Sequence, residues 1–239
     1  MIKVLHFADA HLGVENYGRP DASTGLHTRL LDFLRSFDEM IDRAEEEEVD
    51  LAIFAGDAYK TRNPSPTQQR EFAKRIMRLA DICPVVMVAG NHDVFSAKGR
   101  ATTLDIFGLI PLYQTERGSV SVSTRPGIHI FETNREFVQI IAIPWIVRSH
   151  MLAAVKTQGG NVNEMIQNSL RVLIEGLLGQ ADPNVPTILA AHGTVAGAVY
   201  GSEHSASLGA EIILPPELFY DRRIDYVALG HIHKHQILW

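Results

Sequence analysis

The chain has a single cysteine, no apolar run long enough to cross a bilayer, no low-complexity tract, no internal repeat and no excess of basic charge. Each absence removes a class of protein. With Cys83 alone no internal disulfide can form, and its apolar neighbours mark it as a buried structural thiol in a reducing compartment. A membrane-spanning helix takes about 18 or more consecutive apolar residues, and none occurs. The opening residues, Met1 to Phe7, lack the basic start, long apolar core and small-residue cleavage site of a secretory leader. These absences point to the cytoplasm and away from a membrane. The formal net charge of −6 argues at first sight against a nucleic-acid partner. That objection is weak, because local patches rather than total charge bind phosphate, and acids that hold cations lose their charge to them.

What is present is an ordinary globular composition, 46% apolar and 21% charged over 239 residues, enough to bury a full core. Five short apolar runs share one design. Ile2 to Ala8 ends at Asp9-Ala10-His11, Leu51 to Ala55 at Gly56-Asp57, and Val85 to Ala89 at Gly90-Asn91-His92-Asp93. Thr187 to Ala191 ends at His192, and Tyr226 to Leu229 at Gly230-His231-Ile232-His233. Continuous short apolar runs fit strands covered on both faces. Helical spacing appears over Leu26 to Glu48, with its acidic end Glu45 to Glu48 read as a solvated face, over Thr67 to Leu79 behind Asn63-Pro64-Ser65-Pro66, and over Asn163 to Leu178 before Gly179. Ser119 to Ile143 alternates like antiparallel strands, with turns at Arg125-Pro126-Gly127 and Thr133-Asn134. Strands alternating with helices, followed by a β-rich stretch, predict an α/β sandwich.

Ligands of open α/β sheets bind at the carboxyl ends of strands, where all five clusters lie. They bring together Asp9, His11, Asp57, Asn91, His92, His192, His231 and His233. Carboxylates, imidazoles and one amide without a thiolate suit manganese, iron or zinc. Asp9 and His11, two apart at an extended strand end, are expected on one side, and His231 and His233 repeat the pattern. Gly56 lets the chain turn sharply and frees the Asp57 carboxylate to bridge two ions. Two ions about 3.5–4 Å apart hold a phosphate, lower the pKa of a water and steady the leaving oxygen. Taken singly, each motif has a plainer use: Gly-Asp as a turn, Asn and Asp as turn formers, His192 as a hydrogen-bonded core residue. Taken in order, each at a strand end, they make a metal site.

The ordered set Asp9-x-His11, Gly56-Asp57, Gly90-Asn91-His92-Asp93, His192 and Gly230-His231-x-His233 resembles that of the calcineurin-like metallophosphoesterases. The resemblance implies a four-layer α-β-β-α sandwich of two mixed sheets. It implies one ion on Asp9, His11, Asp57 and His233, and a second on Asp57, Asn91, His192 and His231. His92 would touch the phosphate or protonate the leaving oxygen, a task suited to histidine chemistry, and Asp93 would orient His92.

Flanking residues narrow the branch. His6 to Gly13, Ala55 to Tyr59 with Asn63 to Pro66, Ala191 to Ala198 and Asp225 to Lys234 resemble DNA-repair nucleases of the SbcD type. That likeness implies an exonuclease and endonuclease acting on DNA with two divalent ions, most suitably manganese, and an SbcC-type ATPase as partner. It implies that residues 1–239 form a nuclease domain incomplete at its C-terminus, without the capping and partner-binding regions. It also implies a homodimer through residues 67–79 and 98–109, whose apolar side chains (Phe72, Ile76, Leu79, Leu104, Ile106, Phe107) would serve equally well as core. Lys60, where the family often has an acid or histidine, is a candidate phosphate contact with Arg62, Lys98 and Arg100. Two alternatives stay open: a phosphodiesterase or phosphatase acting on small nucleotides, and a catalytically weak dimeric scaffold. Of the six other histidines, His6 is expected in a core and His204 beside the cleft. None of the six is a candidate ligand.

Overall fold

The computed structural model describes residues 1–94, 101–109, 118–154, 162–201 and 211–238. Its strands are β1 (Val4–Phe7), β2 (Leu51–Phe54), β3 (Val85–Val88), β4 (Val120–Ser123), β5 (Gly127–Glu132), β6 (Phe137–Ile143), β7 (Thr187–His192) and β8 (Tyr226–Gly230). The helices are α1 (Thr28–Glu46), α2 (Pro66–Ala80), α3 (Asp105–Leu109), α4 (Arg148–Ala154) and α5 (Val162–Leu178). One sheet runs β1-β2-β3-β4 with every pair parallel. The other runs β5-β6-β7-β8, antiparallel at β5–β6 and parallel thereafter.

Alternation along the strands builds the layers. Leu51 and Ile53 of β2 point inward with Val86 and Val88, and meet Val138, Ile140, Ala142, Ile188, Ala190 and Ala228 of the second sheet. Their neighbours Ala52, Phe54, Val85 and Met87 point outward onto α1 and α2. In the second sheet Ile141, Ile143, Leu189 and Ala191 point out onto Ile166, Leu170 and Ile174 of α5. Side chains two apart in a strand share a face, so a run apolar at every position must be covered on both sides. The result is the expected order of helix, sheet, sheet, helix.

The helices are set by local signals plus one apolar stripe each. α1 buries Leu30, Leu34, Phe37, Ile41 and Ala44 at helical spacing. α2 starts with a capping box, in which the Ser65 hydroxyl takes the Gln68 amide and the Gln68 side chain takes the Ser65 amide, and Pro66 follows in the first turn. Phe72 of α2 is fully buried among the rings of Phe37, Phe54, Tyr59 and Phe107. Burying a side chain of that size contributes about 1.5–3 kcal/mol. Arg75 of α2 reaches Asp38 of α1 at 2.6 Å, fixing the two helices side by side.

The expectation for 119–143 needs correcting in one respect. β5 and β6 are the antiparallel hairpin, turning at Thr133-Asn134. β4 belongs to the first sheet and pairs parallel with β3, so the turn at Arg125-Pro126-Gly127 carries the chain from one sheet to the other. The cause is packing: Val120 and Val122 lie against the core shared with α1 and α2, and β4 takes up the free edge of β3. Among the described residues, no helix is long and apolar enough to cross a membrane.

Candidate metal centre

The carboxyl ends of β1, β2 and β3 meet those of β7 and β8, and polar side chains make the junction. His192 at the end of β7 hydrogen-bonds through Nδ1 to the Ala55 carbonyl after β2, at 2.6 Å. The backbone N–H of His231 donates to the Asp9 carboxylate at 2.9 Å. The backbone N–H of Trp145, in the loop after β6, donates to the Ala89 carbonyl at 2.8 Å. The two sheets are thus joined at the place where the five motifs lie.

Delivery of the side chains depends on strained backbone. Six non-glycine residues among those described have positive φ, and four are Asp9 (55°), His11 (42°), Asp57 (62°) and His231 (99°). Left-handed conformations are costly for such residues and cluster where surrounding contacts over-determine them. Asp9 and His11 therefore reach the site from a left-handed turn beyond β1, not from an extended strand end as the spacing implied. Glycines make room. A Cβ on Gly56, whose φ is 96°, would lie 2.3 Å from His192 Nδ1. One on Gly90 would lie 2.1 Å from Asp57 Oδ1.

Three groups of potential ligand atoms result, each within 4.8 Å: Asp9, His11 and His233; His11, Asp57 and His92; Asp57, His192 and His231. The donor chemistry fits a cation. With Nδ1–H given to the Ala55 carbonyl, His192 presents Nε2, which faces Asn91 Oδ1 at 3.0 Å and Asp57 Oδ2 at 3.6 Å. His231 Nδ1 also faces Asn91 Oδ1, at 3.0 Å. The Nε2 atoms of His11 and His233 stand 2.9 Å apart. Acceptor atoms gathered at such close range are suited to holding a cation, or a shared proton, between them.

The titration behaviour says the same. Burial resists charge on His192, but the Asp57 and Asp9 carboxylates and the Ala55 carbonyl outweigh it and raise its pKa to about 9. Burial also pushes Asp57 upward, but the His192 imidazole, the His92 amide and His11 outweigh it and hold the carboxylate below its usual range. His11 is lowered to about 4, chiefly by burial, so its ring is neutral and free to donate a lone pair. Burial, followed by the Asp57 charge, raises Asp93 to about 6.

His92 sits differently from the others. Its ring is about a third exposed, Nδ1 donates to the Lys60 carbonyl at 2.7 Å, and Nε2 lies 4.0 Å from Asp57 Oδ2. Lys60 therefore takes part through its backbone, while its side chain is exposed. Asp93 does not orient His92 as expected. Its carboxylate is fully buried and accepts the backbone N–H groups of Asp57, Ala58 and Gly90 at 2.8–3.2 Å, so it braces the two loops against each other. Arg62 donates to the Val94 and Asn91 carbonyls at 2.6 and 2.9 Å, tying down the loop that carries His92. Lys98, Arg100 and His204 lie outside the described residues.

Of the other histidines, His6 is half-buried and bridges β1 to the Tyr226 hydroxyl and the Leu229 carbonyl of β8, and His27 caps α1. His129 pairs with the Ser123 hydroxyl at 2.7 Å. Sequence reasoning missed Trp145, whose ring lies 5.0 Å from that of His231 and 6.1 Å from that of His192. It also missed Glu211, which reaches His231. Neither stands at a motif spacing, so no local signal marked them.

Residues 2–235 match the family model described as calcineurin-like phosphoesterase, and the chain belongs to that family. Among curated relatives it is similar to the SbcD component of nuclease SbcCD from Bacillus subtilis, 26% identical over 99% of this chain and 58% of that protein. Its similarity to the same component from Escherichia coli is 25%, over 99% of this chain and 57% of that protein. The DNA double-strand break repair protein Mre11 of Archaeoglobus fulgidus is 32% identical over 50% of this chain and 26% of its own length. The chain thus spans rather more than half the length of the bacterial relatives. The family and the clustered histidines and aspartates together indicate divalent-metal binding.

Proposed function

We propose that this chain is the nuclease portion of a DNA double-strand-break repair protein, hydrolysing phosphodiester bonds in DNA with two divalent ions, of which manganese suits the donor set. One observation carries the proposal: Asp57 belongs to two ligand groups at once, within a chain similar along nearly its whole length to the SbcD component of nuclease SbcCD. Asp9, His11, Asp57 and His233 would hold one ion, and Asp57, Asn91, His192 and His231 the other. Such a pair of cations activates a water for attack and neutralises charge on the phosphate.

The protein's own groups do the rest. The Lys60 carbonyl takes the His92 Nδ1–H, which leaves Nε2 as the atom that would face the phosphate; once Nε2 has also taken up a proton, the imidazolium would contact a phosphate oxygen or protonate the leaving oxygen. Asp93 keeps the Asp57 and Gly90 loops in register, and Arg62 holds the His92 loop. The side chains of Lys60, Lys98 and Arg100 are proposed phosphate contacts.

Two associations belong to the same reading. An SbcC-type ATPase is the proposed partner, and the cytoplasm the proposed location. Pairing of two copies through residues 67–79 and 98–109 has less to work with than the sequence implied, because Phe72, Ile76, Leu79, Leu104 and Phe107 are all spent in the core. Of that set only Ile106 is exposed, and Met77 on α2 adds a second exposed apolar side chain among the described residues of the two segments. Sedimentation of the wild type and of Ile106→Glu tests the dimer.

The deciding experiment incubates the protein with excess manganese and single-stranded DNA, double-stranded DNA or bis-p-nitrophenyl phosphate, in wild-type and His92→Ala forms. Cleavage of DNA that falls about 10²–10⁴-fold in His92→Ala is expected. Intact DNA beside hydrolysed small diester would replace the reading with a small-nucleotide phosphodiesterase. Equal background rates in both forms would leave a scaffold.

A further inference from the structure

His231 reaches the centre from a strained backbone, yet three neighbours hold its ring. Nδ1 faces Asn91 Oδ1 at 3.0 Å, the same oxygen that His192 Nε2 faces at 3.0 Å. On the other edge of the ring, Nε2 lies 3.2 Å from Glu211 Oε2. The Trp145 ring is tilted 41° against it with centroids 5.0 Å apart. Glu211 is itself held, since the Thr194 hydroxyl donates to its Oε2 at 2.8 Å. The segment that carries it is strapped to the chain leaving β7: the Leu214 N–H donates to the Thr194 carbonyl at 2.8 Å, and the Ala196 N–H to the Leu214 carbonyl at 2.9 Å.

We infer that Glu211 is a positioning residue for one of the two ions: it accepts the His231 Nε2–H and so keeps the Nδ1 lone pair free for the ion that Asp57 and Asn91 would share. The inference rests on the two-ion reading of the site. An imidazole has two nitrogens, and only one of them can be the donor to a carboxylate while the other stays unprotonated. Without Glu211 both tautomers and both ring flips become accessible, and the fraction able to bind an ion falls. A carboxylate behind a metal-binding histidine also makes the ring a stronger base, and loss of such a partner weakens metal affinity by about 10–100-fold. Glu211 lies across the ring from Nδ1, so it acts through His231 and not as a ligand.

Manganese titrations by calorimetry and electron paramagnetic resonance test this on wild type, Glu211→Ala, Glu211→Gln and Thr194→Val. Two ions are expected to bind the wild type. Glu211→Ala should keep one at wild-type affinity and bind the other about 10–100-fold more weakly. Glu211→Gln, which retains an acceptor oxygen, should recover most of the loss, and Thr194→Val should show a smaller one. Long-range proton–nitrogen spectra of the metal-free protein should show His231 protonated at Nε2 in wild type and a tautomer mixture in Glu211→Ala. The inference is overturned if Glu211→Ala binds both ions as wild type does, if both weaken alike, or if glutamine restores nothing. Should Glu211→Ala not fold, the Glu211→Gln and Thr194→Val proteins carry the same comparison. A wild type that binds no manganese overturns the two-ion reading instead, and the Nε2–H signal still decides the role of Glu211.

Discussion

The two halves of the proposed metal centre differ in their access to solvent. Asp57, His192 and His231 are closed in, with side chains 2%, 0% and 9% exposed. Asp9 and His11 are nearly as covered, but their partner His233 is 39% exposed, and His92 opens on the same side. A ligand buried between two sheets is braced on several sides: His192 by the Ala55 carbonyl, His231 by Asp9 through its backbone and by Trp145 through its ring. A ligand on the rim is braced less. On the proposed two-ion reading, the buried half would hold its ion more permanently and the rim half would exchange it, with phosphate and solvent reaching the site from the His92 side.

The strongest challenge to that division is to remove what the halves share. Asp57→Asn should abolish binding of both ions and lower cleavage by at least about 10²–10³-fold, read by calorimetry and a DNA assay. Retention of one ion at full affinity would show that Asp57 does not bridge. Gly90→Ala should come next, because its Cβ would collide with the Asp57 carboxylate. It should weaken both ions and destabilise the fold by about 1–3 kcal/mol in denaturant unfolding.

Substitutions that separate the halves have smaller effects. His192→Ala leaves the Ala55 carbonyl without its partner, so it should lose one ion and about 1–3 kcal/mol of stability. His233→Ala should lose the other ion, with stability unchanged within about 0.5 kcal/mol. Equal melting temperatures for the two variants would erase the distinction between buried and rim ligands. Chelation followed by stopped flow should remove the ions in two phases, the rim ion first. A single phase would show that the halves empty together. The smallest change expected is Lys60→Ala. Because His92 is held by the Lys60 carbonyl, the turnover rate should stay within about twofold while DNA affinity falls modestly and more at low salt.

Much of this was legible from residue order. Period-two alternation inside runs that are apolar throughout predicts sheets covered on both faces, and Leu51 and Ile53 do face away from Ala52 and Phe54. The placement of Asp9, Asp57, Asn91, His192 and His231 at strand ends follows from the same runs. The membership of β4 was not legible, because a strand's partner depends on which edge is free and not on its own pattern. Nor was the role of Asp93. Its place beside His92 suggested an orienting carboxylate, but in the fold three backbone N–H groups from the loops after β2 and β3 claim it first.

Residue order alone pointed to the chemistry: short apolar strands ending in carboxylates, imidazoles and an amide. It could do so because strand period and side-chain chemistry are local properties. The tertiary structure decided which side-chain atoms turn toward the shared centre and which stand behind them. Left-handed backbone at Asp9, His11, Asp57 and His231 turns these side chains toward the centre. Lys60, Arg62, Trp145 and Glu211 brace them from segments far away in the chain. Those relations exist only once two sheets have closed on each other, since the partners are brought within reach by packing and not by spacing.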